Sequence, residues 1–194
     1  MNLRNGVICI VLAIIFCGCA SQNPQILIKT ELGDIKAELY TKQAPITASN
    51  FLRYIKEKRF EGAVFYRVVT MDNQPNDKVK IQVVQGGLYE ENHPNLLAPI
   101  AHETTAQTGI HHKNGTLSMA RWEPGTATCE FSICVGDQPE LDFGGKRNPD
   151  GQGFAAFGRV TSGMDVVGKI HRRPADGQYL NPQIKILDFV LLHE

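Results

Sequence analysis

Beyond its first twenty residues this chain of 194 residues holds only two cysteines, Cys129 and Cys134. No CxxC pair occurs, so neither a disulfide framework nor a redox dithiol is encoded. The two thiols stand an odd number of residues apart in one strand-like run. That spacing sends them to opposite faces, so they are expected as separate buried thiols, not as a pair. Neither sign of charge dominates: 20 Lys and Arg meet 20 Asp and Glu. The basic footprint of a nucleic-acid binder is therefore missing. Internal repeats and low-complexity segments are absent too, and the composition excludes a collagen, a coiled coil and a polytopic membrane protein.

What is present suits a packed core. Hydrophobic residues make up 42% and charged residues 21%, while Gly 18 and Pro 10 imply many turns and argue against a helix bundle. The length fits one domain.

The first twenty residues read as an address. Arg4 precedes an apolar run of eleven residues, Gly6–Phe16. As a helix that run would cover about 16 Å, short of the ~30 Å hydrocarbon core. It has the length of a signal h-region. A single membrane anchor is the alternative, and Asn23-Pro24 would end such a helix early. Phe16-Cys17-Gly18-Cys19 resembles a bacterial lipobox, with Cys19 as the lipidated new N-terminus. Secretory cleavage after Ala20 is the runner-up. The expected division is a signal peptide at 1–18, a tether at 19–24 and one domain at 25–194. The expected location is the cell envelope, lipid-anchored and facing the periplasm with the outer membrane favoured, or free in the periplasm if the lipobox is unused. Contact with the membrane is then through the lipid only, and the domain is expected as a monomer.

Along the domain, Ile26–Leu32 and Asp34–Tyr40 are strand-like and joined by a tight turn at Gly33. Pro45 opens a helix whose apolar residues Ala48, Phe51, Leu52 and Ile55 fall on one face. Lys56, Lys58 and Arg59 suit its last turn. Val64–Val69, Ile81–Gln85, Gly115–Ala120, Phe131–Val135, Phe154–Val160 and Ile184–Leu192 read as further strands, and Gly163–Ile170 as a second helix. Thr70–Lys80 and Asp150–Gly153 read as loops, and Leu88–Lys113 as loop with one short strand. Many short strands, frequent turns and two helices predict a mainly β fold, a closed barrel, with a β-sandwich as the alternative. Adjacent residues on a strand face opposite ways, so His111-His112 is not expected to form a metal site.

Several segments then resemble one family. Phe65-Tyr66-Arg67-Val68-Val69 with Val84-Gln85-Gly86-Gly87 looks like the cyclophilin signature. Gly115–Arg121, Phe131-Ser132-Ile133, Leu141-Asp142, Phe157–Val160 and Gly163–Val167 follow in the family's order. The resemblance covers about Gln25 to Leu192. It implies a closed eight-stranded antiparallel barrel capped by two helices, and peptidyl-prolyl cis-trans isomerase activity on proline-containing polypeptides, without cofactor or metal. Arg67 takes the place of the residue that stabilises the twisted amide, and Gln85 of the residue that orients it. Gln82, Val83, Ala120, Arg121, Glu130, Ser132, Leu141 and Phe154 fall at substrate-binding positions, with the backbone of Ala120 and Arg121 pairing with an extended substrate.

The sequence departs from the pattern around the proline pocket. Val83 stands where Met is common, Gln82 where Phe is, and Glu130 where Gln is. Ser132 replaces a pocket Phe and Glu140 an aromatic residue, while Phe154 falls where His or Tyr is usual. A wider pocket, weaker proline binding and reduced activity are expected, as is poor cyclosporin binding, because Glu140 has no indole N–H. A non-catalytic peptide-binding or chaperone module is the alternative. Thr70–Lys80 is an insertion of roughly ten residues beside the pocket mouth, read either as a lid or as a tolerated surface loop.

Overall fold

The computed structural model describes residues 23–90 and 92–194. Residues 1–22, which include the lipobox-like segment and Cys19, lie outside the described residues.

β1 (Gln25–Thr30) and β2 (Gly33–Leu39) form a hairpin in which Thr30 pairs with Gly33. The Thr30 hydroxyl closes the turn, accepting from the Leu32 N–H at 3.1 Å and donating to the Gly33 carbonyl at 2.7 Å. α1 (Pro45–Lys56) starts on a proline, whose missing N–H costs nothing at that position. Its own N-cap, Ala44, has no side chain to offer. Glu103 substitutes from a distance: its carboxylate accepts from the Ile46 and Thr47 N–H groups and from the Thr47 hydroxyl. An anion there also meets the positive end of the helix dipole.

β3 (Val64–Val69), β4 (Val83–Gly87), β5 (Thr116–Met119), β6 (Phe131–Cys134) and β7 (Ala156–Ser162) supply the next strands. α3 (Met164–His171) follows β7, and α2 (Thr105–Thr108) is a single turn before β5. A two-residue β8 (Ala175–Asp176) turns into the long β9 (Tyr179–His193). The order β1-β2-β7-β5-β6-β4-β3-β9 closes through a β9–β1 pairing, and β8 adds only to β9. Every pairing is antiparallel. The expected eight-stranded closed barrel is therefore correct, and the sandwich is not.

Alternation divides the side chains of this wall in two. Inward residues such as Phe65, Val84, Leu117, Phe131 and Ile133 join the main core. Phe51 of α1 plugs it, with ring centroids 5.0–5.8 Å from Phe60, Phe131, Phe157 and Phe189. Val166, Val167 and Ile170 of α3 cover it from the side of β2, β3 and β4. Outward residues Val69, Val83 and Cys134 form a second, smaller cluster with Ile81 and Leu141, and Phe154 packs on it. Cys129 sits in the first core and Cys134 in the second, so the two thiols do lie on opposite sides of the wall.

Three expectations need correction. The segment Leu88–Lys113 contains no strand among its described residues, but instead the helical turn α2. The described residues thus hold three α-helices, not two. The signal for α2 was legible as a capping box, because the Thr104 hydroxyl accepts from the Gln107 N–H and the Gln107 side chain returns to the Thr104 N–H. Lys58 and Arg59 fall past the end of α1, whose last turn carries Arg53 and Lys56.

Candidate active site

The candidate site lies on the outer face of four neighbouring strands. Arg67 on β3 pairs with Gln85 on β4, Gln85 with Ser132 on β6, and Ser132 with Ser118 on β5. Register partners share a face of the sheet, so the four side chains form one row. A cavity of about 560 Å³ opens over this row. Arg67 and Gln85 line it, as do Val83, Ala120, Arg121, Glu130, Ser132, Leu141 and Phe154. These residues come from six separate stretches of chain. Gln82 stands just outside the lining, with its N–H donating to Gln138 Oε1 at 3.0 Å and its carbonyl accepting from Val135.

Arg67 is half-buried and held from two sides. Its Nη1 donates to Gln85 Oε1 at 2.7 Å. Its Nε donates to Gln178 Oε1 at 2.9 Å, and Nη2 donates to the same oxygen. Burial lowers the guanidinium pKa, an effect that the nearby Tyr66, Tyr179 and Asp77 oppose. An arginine starts so high that it stays a cation throughout. Gln85 is itself fixed, because its Nε2 donates to the Tyr66 hydroxyl at 2.5 Å and to Glu130 Oε2 at 3.4 Å. Burial, then the adjacent Glu130, push the Tyr66 phenol far above its ordinary range. It stays neutral, donating to Glu130 and accepting from Gln85. The departure from a family glutamine at position 130 therefore has a use: the carboxylate anchors Tyr66, which anchors Gln85.

The floor is the second apolar cluster, interrupted by Ser132. Phe154 refills part of the space and is covered by Arg121, whose guanidinium carbon lies 5.2 Å from the ring centroid. The Arg121 side chain has no capacity left for a substrate. It donates to Asp150 and to the carbonyls of Trp122 and Gly153. Gly153 has to be a glycine, since its φ is +63° and a Cβ would sit 2.5 Å from the Leu141 carbonyl oxygen. Glu140 does not line the cavity, and its carboxylate accepts from the Lys146 N–H at 2.8 Å. The Ala120 N–H is spent on the Glu130 carbonyl at 2.9 Å, so it is not free to pair with an extended chain in the cavity.

Behind Ser132 runs a chain that the sequence did not disclose. Ser118 Oγ lies 2.8 Å from His112 Nε2, and His112 Nδ1 lies 2.6 Å from Asp142 Oδ1. His111 Nδ1 lies 2.9 Å from Asp142 Oδ2. The two histidines were expected to diverge, yet neither lies in a strand and both reach one carboxylate. Burial alone would raise the Asp142 pKa, but hydrogen bonds from the His112 ring and backbone and from His111 outweigh it and hold the carboxyl low. The order Ser-His-Asp invites comparison with a hydrolase triad. The next two N–H groups, of Met119 and Ala120, are committed to the Ala155 and Glu130 carbonyls, so no oxyanion hole adjoins the serine. The chain supports the pocket floor.

Thr70–Lys80 is an ordered loop. Gln74, only 1% exposed, bonds both of its ends: its Nε2 donates to the Thr70 and Ile81 carbonyls, and its Oε1 accepts from the Ile81 N–H. Arg147 reaches across the mouth of the cavity to Gln74, the Val79 carbonyl and Asp77.

The family model described as cyclophilin type peptidyl-prolyl cis-trans isomerase/CLD matches residues 25–190. The chain belongs to this family. Cyclophilin relatives share much of the sequence. A peptidyl-prolyl cis-trans isomerase of Acinetobacter baylyi is 39% identical over 158 residues, covering 80% of this chain and 76% of its own. Peptidyl-prolyl cis-trans isomerase B of Escherichia coli is 34% identical, covering 73% and 80%. A crystal structure of a Cryptosporidium parvum cyclophilin superposes with a TM-score of 0.67 at 20% identity, covering 89% of this chain and 99% of that one. The same protein has been crystallised in the presence of the dipeptide Ala-Pro. The present cyclophilin is accordingly a peptidyl-prolyl cis-trans isomerase.

Proposed function

We propose that this isomerase speeds the proline-limited folding of exported proteins, with Arg67 stabilising the twisted amide. The X–Pro bond isomerises over tens to hundreds of seconds because amide resonance opposes rotation. Resonance is lost at the twisted state, and the prolyl nitrogen regains a lone pair. A cation donating to that nitrogen makes a bond that the planar ground state cannot make, so it lowers the barrier without tightening ground-state binding. The observation carrying this reading is the guanidinium count. Of five N–H groups on Arg67, the bonds to Gln85 and Gln178 use three. One remains on each of Nη1 and Nη2, beside the cavity.

In this reading proline seats on Val83, Leu141 and Phe154 beside Ser132, and the peptide runs past the Ala120 carbonyl and Arg121. Export rests on Gly6–Phe16 and Cys19, which lie outside the described residues. The test is turnover of X–Pro peptides by the full chain and by Arg67→Ala. A loss of about a hundredfold or more is expected for removal of a transition-state donor. Activity within a few-fold of the parent would refute the assignment.

A further inference from the structure

We propose that Gln178 is a positioning residue for the isomerisation, and that the Thr70–Lys80 loop exists in part to hold it. This rests on the role given to Arg67 above.

Gln178 lies in the turn between β8 and β9, remote in sequence from both signature strands. Its side-chain oxygen nevertheless takes two of the three bonds that orient the Arg67 guanidinium, along the Nε–Nη2 edge. Gln85 alone fixes one corner of the plane, through Nη1. A plane held at one corner can still swing about that bond. Held along a second edge it cannot, and its two remaining N–H groups point in set directions. A donor fixed before the reaction avoids the reorganisation that a mobile arginine would need at the transition state.

Gln178 is held in turn by the insertion. Its Nε2 donates to the Asn73 carbonyl at 3.2 Å, which fixes which end of the amide faces Arg67. Its own carbonyl accepts from the Val68 N–H at 2.9 Å. Asn73 grips both partners, because its Nδ2 donates to the Val68 and Gly177 carbonyls at 3.0 and 3.1 Å. Its Oδ1 accepts from the Thr70 N–H at 2.8 Å. The loop thus clasps β3 to the β8–β9 turn immediately beside Arg67. A plain surface insertion has no need of that clasp, and a lid could not move while making it.

The experiment measures kcat and KM separately, by NMR exchange on an X–Pro peptide, for the full chain and for Gln178→Ala, Gln178→Glu, Asn73→Ala and Arg67→Ala. Melting temperature is recorded for each. A misplaced catalytic group costs up to about a hundredfold, so Gln178→Ala is expected to lose about tenfold or more in kcat with KM within about twofold. Gln178→Glu keeps an acceptor for both N–H groups but loses the donor to the Asn73 carbonyl, so it should recover kcat in part. Asn73→Ala should lower kcat by an intermediate factor. Undiminished kcat in Gln178→Ala, or a loss that Gln178→Glu shares in full, overturns the positioning role. Full kcat in Asn73→Ala overturns the part given to the loop. A loss that only follows a fallen melting temperature, measured well below that temperature, also counts against it. If Arg67→Ala keeps its activity, the failure lies in the Arg67 assignment and not in Gln178.

Discussion

Ser132 leaves a polar gap in an apolar floor. Its partners across the sheet are Gln85 and Ser118, and the Val83–Leu141–Phe154 cluster surrounds it. Restoring an aromatic ring there should return about 1.5–3 kcal/mol of apolar burial to the bound proline. Ser132→Phe is therefore expected to tighten X–Pro peptide binding by about tenfold or more, at 1.4 kcal/mol per decade. The single tryptophan reads this directly, because Trp122 lines the cavity and is 86% exposed. Bound peptide should shift its emission to the blue, and titrations of parent and variant give the two dissociation constants. Equal constants would show that the gap does not limit binding. Asp142 supports the same floor from behind. Its pKa is depressed in the fold, so its contribution to stability is complete above the unfolded value of about 3.9. It disappears as pH falls through the folded value. Asp142→Asn should thus be less stable than the parent at pH 7, with the difference shrinking at pH 3, as measured by denaturant unfolding at both pH values.

At the scale of elements, α1 depends on a carboxylate 56 residues away from the threonine it caps. Glu103→Ala leaves the Ile46 and Thr47 N–H groups and a hydroxyl without their acceptor. A cost of about 1–3 kcal/mol is expected for groups stranded by such a loss. At 2–4 °C per kcal/mol for a domain of this size, a fall of several degrees in melting temperature follows. Calorimetry measures it, and an unchanged melting temperature would show that water replaces the cap. The elements themselves were legible wherever period and turn chemistry agreed. Val64–Val69 was read to the residue, and α1 from Pro45 and its apolar face. β9 begins five residues before the Ile184–Leu192 run, and Pro182 lies in the part that the strand pattern does not mark. β8 is only two residues long, too brief for any periodicity to mark it. Gln178 and Glu103 could not be read as site or cap residues for one reason. Their partners are brought to them by strand pairing and loop packing, across separations that no local pattern encodes.

For the molecule as a whole, the two thiols mark the two cores. Cys129 and Cys134 are both fully buried, and burial pushes the Cys129 thiol up to about 11 and Cys134 higher still. The thiolate is the reactive form, so both should resist alkylation at pH 8 in the folded chain and react on unfolding. Peptide mass mapping after iodoacetamide distinguishes them. Labelling of Cys134 alone in native buffer would show that the outer cluster opens independently of the barrel. The closed ring has a directional consequence as well. β1 receives the chain from residue 23 onward, and β6, which carries Ser132, stands four strands from β1 by either route round the ring. The wall that carries the groove and the strand where the described chain begins therefore stand on opposite sides of the barrel.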